Sequence, residues 1–187
     1  MTIAIGSDEA GFALKERLKS FLQDRGFDVE DYGVHDTRPV LYPDIAIAVA
    51  EGIAAGRHAR GILVCGTGIG MAIAANKVPG VRAAVCHDPY SAQRARKSND
   101  AQVMALGARV VGEELARTLV ATWLESEFEG GGSLPKVERI RAYEASRWSG
   151  EPADSGRRAA DGREGREDRK SREGRESREG GGESNAA

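Results

Sequence analysis

Cysteine is scarce in this chain: two residues in 187, Cys65 and Cys86. A small domain held by disulfides is therefore not expected, and both thiols read as free in a reducing compartment. Long apolar runs are missing as well. The richest stretch, residues 45–55, is interrupted by Glu51 and falls well short of the roughly 20 residues that a membrane span requires. The opening MTIAIGSDEAG is too short and too acidic for a signal peptide, so the expected address is cytoplasmic, with no membrane partner. Nor is there a surplus of positive charge, because 27 Lys and Arg stand against 29 Asp and Glu, a formal net charge of -2. Nucleic-acid binding rests first on neutralising phosphates, and this balance argues against it. His35, His58 and His87 show no metal-ligand spacing and read as loop or surface residues, so no metal site is expected.

What is present divides the chain in two. Apolar residues run steadily from residue 2 to about residue 148; beyond that point they are alanines and Pro152, from which no core can form. One domain is expected over residues 1–148 and a disordered tail over 149–187. The tail carries 9 basic and 10 acidic residues, so it is no basic arm. Its cycles of Arg-Glu-Gly and Arg-Glu-Ser are low complexity rather than a folded repeat, and their glycines disfavour a lasting helix. A tether to a partner is the other reading of it.

Within the domain, short β-branched runs alternate with longer segments of helical period, the pattern of βα units laid over a parallel sheet. Strands are expected at 2–6, 28–32, 61–65, 83–86 and 103–106, each short and mostly apolar, as strands covered on both faces should be. Phe12, Leu14, Leu18, Phe21 and Leu22 mark a helix that ends at Gly26, and Pro43 opens another to about Ala55. Further helices are expected over about 70–77, 89–98 and 113–125. A last one, from Pro135 to about Arg147, has no strand after it and must pack on the domain or on a second subunit. The fold class is therefore α/β, with a five-stranded parallel sheet and an extra C-terminal helix.

The strand at 61–65 runs straight into Gly66-Thr67-Gly68-Ile69-Gly70 and then into a helix carrying Ala72, Ala75 and Asn76. In an α/β sheet this loop lies at the carboxyl ends of the strands, where ligands bind. Its glycines let the backbone approach a ligand, and the helix start offers unpaired N–H groups to an anion, beside Cys65. Glycine-rich turns and buried cysteines are also ordinary features of such folds. The loop lacks the spacing of a dinucleotide fingerprint, and no Gly-x-x-x-x-Gly-Lys-Ser/Thr phosphate loop is present.

Several motifs taken in order are more specific than this loop alone. ILVCGTGIGMAIAANKVPGVRAAV, then DPYSAQRARKSNDAQVMALGARVVG, with GSDEAGFALK before them and FEGGGSLPKVERI after, resemble the family of ribose-5-phosphate isomerase B and galactose-6-phosphate isomerase. The match runs from Ile3 to about Tyr143. It implies a Rossmann-like three-layer sandwich, an aldose-ketose isomerase of a small sugar phosphate, and a homodimer or dimer of dimers with shared active sites. It implies no metal and no organic cofactor.

Position by position, the resemblance makes Cys65 the proton-abstracting base and residues 66–70 (Gly66, Gly68, Ile69 and Gly70 among them) the loop that stabilises an enediolate. Thr67 matches a hydroxyl that assists proton transfer, Asp8 and Asn99 match substrate contacts, and Arg109 and Lys136 match residues that hold phosphate. The residue types suit the chemistry. Thiols ordinarily titrate at about pH 8.5, and nearby N–H donors make the thiolate a usable base while meeting charge on the substrate. Plainer roles stay open: Asp8 as a turn or cap residue, Arg109 as a surface charge, Asn99 as the closing residue of its helix. Cys86 reads as core. Of the three histidines, His87 is nearest a strand end and is the one placed to line the site.

Some positions depart from the family. Ser98 stands where many ribose-5-phosphate isomerases of this type carry the histidine that opens the sugar ring, and serine is a poor general acid or base. Glu9 stands where a histidine is common, Gly132 where an arginine is usual, and Lys136 replaces an arginine and loses its bidentate fork. Proton abstraction is left intact while ring opening and the phosphate end are altered. A tetrose 4-phosphate fits, because its terminal oxygen is esterified and no five-membered ring can close. The order SNDAQ after HDPYSAQRA also resembles the tetrose-phosphate branch, which makes D-erythrulose 4-phosphate the leading substrate and ribose 5-phosphate the alternative. A different class of reading is a non-catalytic sugar-phosphate-binding subunit, against which the intact Cys65 and its loop argue. Glu9 is unexplained at this level, since a carboxylate near a phosphate repels it unless a cation pairs with it.

Overall fold

A computed structural model describes residues 2–148. The expected tail lies outside the described residues. Strands and helices alternate as β1 Thr2–Ser7, α1 Phe12–Asp24, β2 Asp28–Asp31, α2 Tyr42–Ala54, β3 Arg60–Cys65, α3 Ile69–Ala75, β4 Ala83–Val85, α4 Pro89–Lys97, β5 Val103–Gly107, α5 Glu113–Leu124 and α6 Leu134–Trp148, with a 3-10 turn at Gly131–Ser133. The five strands form one parallel sheet in the order β2-β1-β3-β5-β4. The chain leaves β1 towards β2 and returns past it to β3, so the strand order reverses between β1 and β3. A crevice at their carboxyl ends is the position where ligands enter such sheets.

The pleat sends alternate residues to opposite faces, and the two core layers follow from it. Ile3, Ile5, Ile62 and Met104 meet Leu14, Leu18 and Leu22 of α1, Ala92 and Ala95 of α4, and Leu119 and Trp123 of α5. On the other face Ala4, Leu63, Val103 and Ala105 meet Val49, Ala50 and Ile53 of α2 and Met71 and Ala75 of α3. The result is the expected three-layer α/β sandwich.

β2 departs from the expectation of mostly apolar strands. Its sequence DVED alternates exposed and half-buried residues, which suits an edge strand that must resist further pairing. At the opposite edge, the Asn76 carboxamide donates to the Ala83 carbonyl and accepts from the Ala83 N–H, both at 2.8 Å, and so occupies the open side of β4. Helix α6 buries Val137 but leaves Leu134, Ile140 and Tyr143 exposed, so packing on its own domain accounts for little of its apolar face.

Polar groups are also built into the interior, Lys15 and His58 among them. Lys15 is fully buried and its Nζ donates to both Asp31 carboxylate oxygens at 2.8 Å and to the Val34 carbonyl at 2.7 Å, tying α1 to the end of β2. His58, read as a loop or surface residue, lies in the loop between α2 and β3 but is only 4% exposed, with Nε2 2.8 Å from the Tyr32 hydroxyl. The tyrosine partners one ring nitrogen only, and the buried Nδ1 has no hydrogen-bond partner among the described residues.

Candidate active site

β3 ends at Cys65, and the Gly68 N–H donates to its Sγ at 3.0 Å. The thiol is 6% exposed, held inside the turn that the next three residues make. Gly68 has φ +77°, and a Cβ there would stand 3.0 to 3.2 Å from the backbone of Leu106 and Ala105. Both the left-handed backbone and the close approach of β5 therefore require glycine. Gly68→Ala is expected to lower stability by about 1–3 kcal/mol and to cut turnover, by displacing the donor aimed at Cys65. A denaturant melt and a turnover assay on the same preparation test this, and an unchanged variant refutes it.

The rest of the carboxyl edge closes round that turn. Ala108 N–H donates to the Cys65 carbonyl at 2.8 Å and Arg109 N–H to the Gly66 carbonyl at 3.1 Å, so the β5 turn lies along the loop. The Arg109 side chain passes the α-carbon of Gly66 at a distance a Cβ would just tolerate. Thr67 is exposed, and its Oγ1 accepts from the Ile69 N–H at 3.4 Å. Gly70 packs under the Tyr42 ring, which a Cβ would strike at 2.6 Å. His87 follows β4, and its Nε2 accepts from the Gly107 N–H at 3.0 Å, which makes it a support for the β5 turn.

Asp8 lies across the crevice from Cys65, after β1. Its Oδ1 accepts from the Gly11 N–H at 2.9 Å, and its own N–H donates to the Val64 carbonyl at 3.3 Å. Burial pushes its carboxyl above the usual range and neighbouring Glu9 adds to this, while the Gly11 and Ala10 N–H groups and Arg109 pull the other way. Glu9 turns aside and accepts from the Val40 N–H at 3.3 Å. Its carboxylate thus holds the segment leading to Tyr42, an explanation the sequence did not offer.

Ser98, Asn99 and Lys136 are not in this group. Helix α4 starts beyond the carboxyl end of β4 and, at about 1.5 Å per residue, carries Ser98 to the opposite edge of the sheet. There the Asn99 carbonyl accepts from Arg82 Nε at 3.0 Å, just ahead of β4, and Asn99 Nδ2 donates to the Arg94 carbonyl at 3.2 Å, closing its helix. The Arg94 guanidinium donates to Ser98 Oγ. Helix α6 meets the same edge through Arg141 and Asp100, 3.0 Å apart, and Lys136 stands exposed near its start. Sequence reasoning missed Tyr42 and Arg94. Tyr42 was legible only as the residue before a helix-opening proline, and Arg94 only as one of several charges in RARKSND. Cys86 is core as expected, with burial pushing its thiol up to about 12.

Residues 3–140 match the family model described as Ribose/Galactose Isomerase. The chain belongs to that family, and it is a sugar-phosphate isomerase. The isomerase is 59% identical over 145 residues to the D-erythrulose-4-phosphate isomerase of Pectobacterium atrosepticum, covering 77% of this chain and 95% of that one. It is 53% identical over 138 residues to the Ribose-5-P isomerase B of Listeria innocua, covering 74% and 93%. Among solved structures it resembles the ribose-5-phosphate isomerase B of Clostridium thermocellum, with a TM-score of 0.77 and 49% identity over 79% of this chain and 99% of that one. Among the described residues no helix of the isomerase is long and apolar enough to cross a membrane.

Proposed function

We propose that this isomerase interconverts D-erythrulose 4-phosphate and D-erythrose 4-phosphate through an enediolate, in the cytoplasm, as a homodimer or a dimer of dimers. Cys65 Sγ takes a proton from C1 of the ketose and returns it to C2. The oxygens of the enediolate meet the N–H groups of residues 66–70, preorganised by the Gly68 turn. Thr67 moves the proton between O1 and O2. Asp8 and Asn99 hold hydroxyl groups, and Arg109 and Lys136 take the phosphate. No step needs a metal or organic cofactor.

The observation that carries the substrate is Ser98, held by Arg94 where a ring-opening histidine is common in the family. A 4-phosphorylated tetrose has no ring to open, so the absence costs it nothing. The relative in Pectobacterium supports the same substrate. The split between Cys65 at one sheet edge and Ser98, Asn99 and Lys136 at the other supports a second copy as the source of the latter group. The exposed apolar side chains of α6 suit the same contact. The Arg/Glu tail lies outside the catalytic domain in this reading.

Ribose 5-phosphate is the second reading, favoured by the likeness to the Listeria relative. Turnover of the purified full chain on the two substrates side by side decides between them. A preference for D-erythrulose 4-phosphate of roughly tenfold or more in kcat/KM is expected, as one lost polar contact in a site commonly costs that much. A preference for ribose 5-phosphate refutes the inference from Ser98.

A further inference from the structure

We infer that Arg94 is a specificity-determining residue of this isomerase, placing its guanidinium on the phosphate of a four-carbon substrate in the space between Ser98 and the substrate's terminal oxygen. The inference rests on the tetrose-phosphate reading above and goes beyond it by naming the group that replaces the altered phosphate end.

The chemistry of ring opening fixes the place. To open an aldofuranose, a group must deliver a proton to the ring oxygen, which is O4. A residue at position 98 in the ring-opening role therefore faces O4 of a pentose. In a tetrose 4-phosphate the same oxygen carries the phosphoryl group, so whatever stands at position 98 faces phosphate instead of a ring. Here it is Ser98, and the Arg94 guanidinium donates to its Oγ.

The charge at this end needs such a group. Gly132 has no side chain to offer, Lys136 offers a point charge without a fork, and Glu9 is spent on the Val40 N–H at 3.3 Å. Arginine is the side chain suited to planar, bidentate contact with phosphate oxygens. Arg94 also has donors to spare. Among the described residues its guanidinium makes the hydrogen bond to Ser98 and a longer ion pair with Glu129 at 3.6 Å, and its side chain is 34% exposed. Its helix neighbours are engaged differently: Arg96 is buried against the Ala101 carbonyl and Asp100 at 3.0 Å, and Lys97 pairs with Glu129 at 3.1 Å.

A basic residue in the last turn of a helix also offsets the helix dipole, so the test must separate binding from capping. Arg94→Leu and Arg94→Lys are compared with wild type in the full chain. The readouts are kcat and KM on D-erythrulose 4-phosphate, inhibition by inorganic phosphate, and melting temperature. For Arg94→Leu, KM and the phosphate inhibition constant are expected to rise together by roughly tenfold to a hundredfold, the cost of a charged hydrogen bond. Turnover number and melting temperature stay close to wild type, and Arg94→Lys recovers part of the loss. An unchanged KM and inhibition constant, with or without a lower melting temperature, overturns the inference while leaving the tetrose reading standing. Absence of wild-type turnover on D-erythrulose 4-phosphate overturns both.

Discussion

Replacing Cys65 with alanine is expected to lower turnover by roughly a thousandfold, the scale on which a positioned general base contributes. The side chain ends β3 and is nearly enclosed, and removing one sulfur leaves a small void rather than an unpaired charge. The fold should therefore survive, and ligand affinity should fall only modestly. Exchange of the C1 proton of the ketose with solvent deuterium, followed by NMR, isolates the step proposed for Cys65. It is expected to vanish together with turnover. Exchange that persists in Cys65→Ala assigns the proton to another group, with Asp8, which follows β1, as the candidate. Loss of ligand affinity equal to the loss of turnover would instead make Cys65 a structural support for the Gly68 N–H that it accepts at 3.0 Å.

The strands and helices were legible because each carries its signal locally. Leu14, Leu18 and Leu22 repeat at helical spacing and all three are buried, and the β3 run RGILVC is buried throughout. β2 was legible as a strand from its position but not as an edge, because DVED has too few apolar residues to show which neighbour covers it. Half of the candidate site was legible in the same local way: Cys65, Gly66, Thr67 and Gly68 are contiguous, and the strand-loop-helix pattern alone brings them to the carboxyl edge. The separation of Ser98, Asn99 and Lys136 from that edge was not legible from motif order. It depends on the direction of α4, which a resemblance position by position ignores. Glu9 escaped for a related reason, since its partner is the main chain of Val40, and a backbone N–H leaves no mark in a sequence.

Asp31→Asn is expected to destabilise the fold by about 2–3 kcal/mol near neutral pH, because it removes the counter-charge of a buried ammonium. Lys15 is fully buried, and Glu16 at 2.7 Å and the Val34 carbonyl at 2.7 Å remain to hold part of its charge, which keeps the loss below that of an isolated pair. On a domain of this size the change corresponds to a fall in melting temperature of about 6–10 °C. Its pH dependence identifies the cause. Burial pushes the Asp31 carboxyl up, but the Lys15 and Lys19 ammonium groups and the Gly33 N–H outweigh it and hold the group below the usual carboxylate range. The ion pair therefore contributes its stability in full above about pH 3.9, where an unfolded aspartate is already ionised. That contribution disappears as pH falls through the lowered native value, so wild type loses stability on acidification more steeply than Asp31→Asn does. Melting curves of the two proteins from pH 7 down to pH 2 should converge at the acid end. Curves that run parallel, or a gap that widens on acidification, would mean that the asparagine acts through packing and that the charge of Asp31 does not hold α1 against β2.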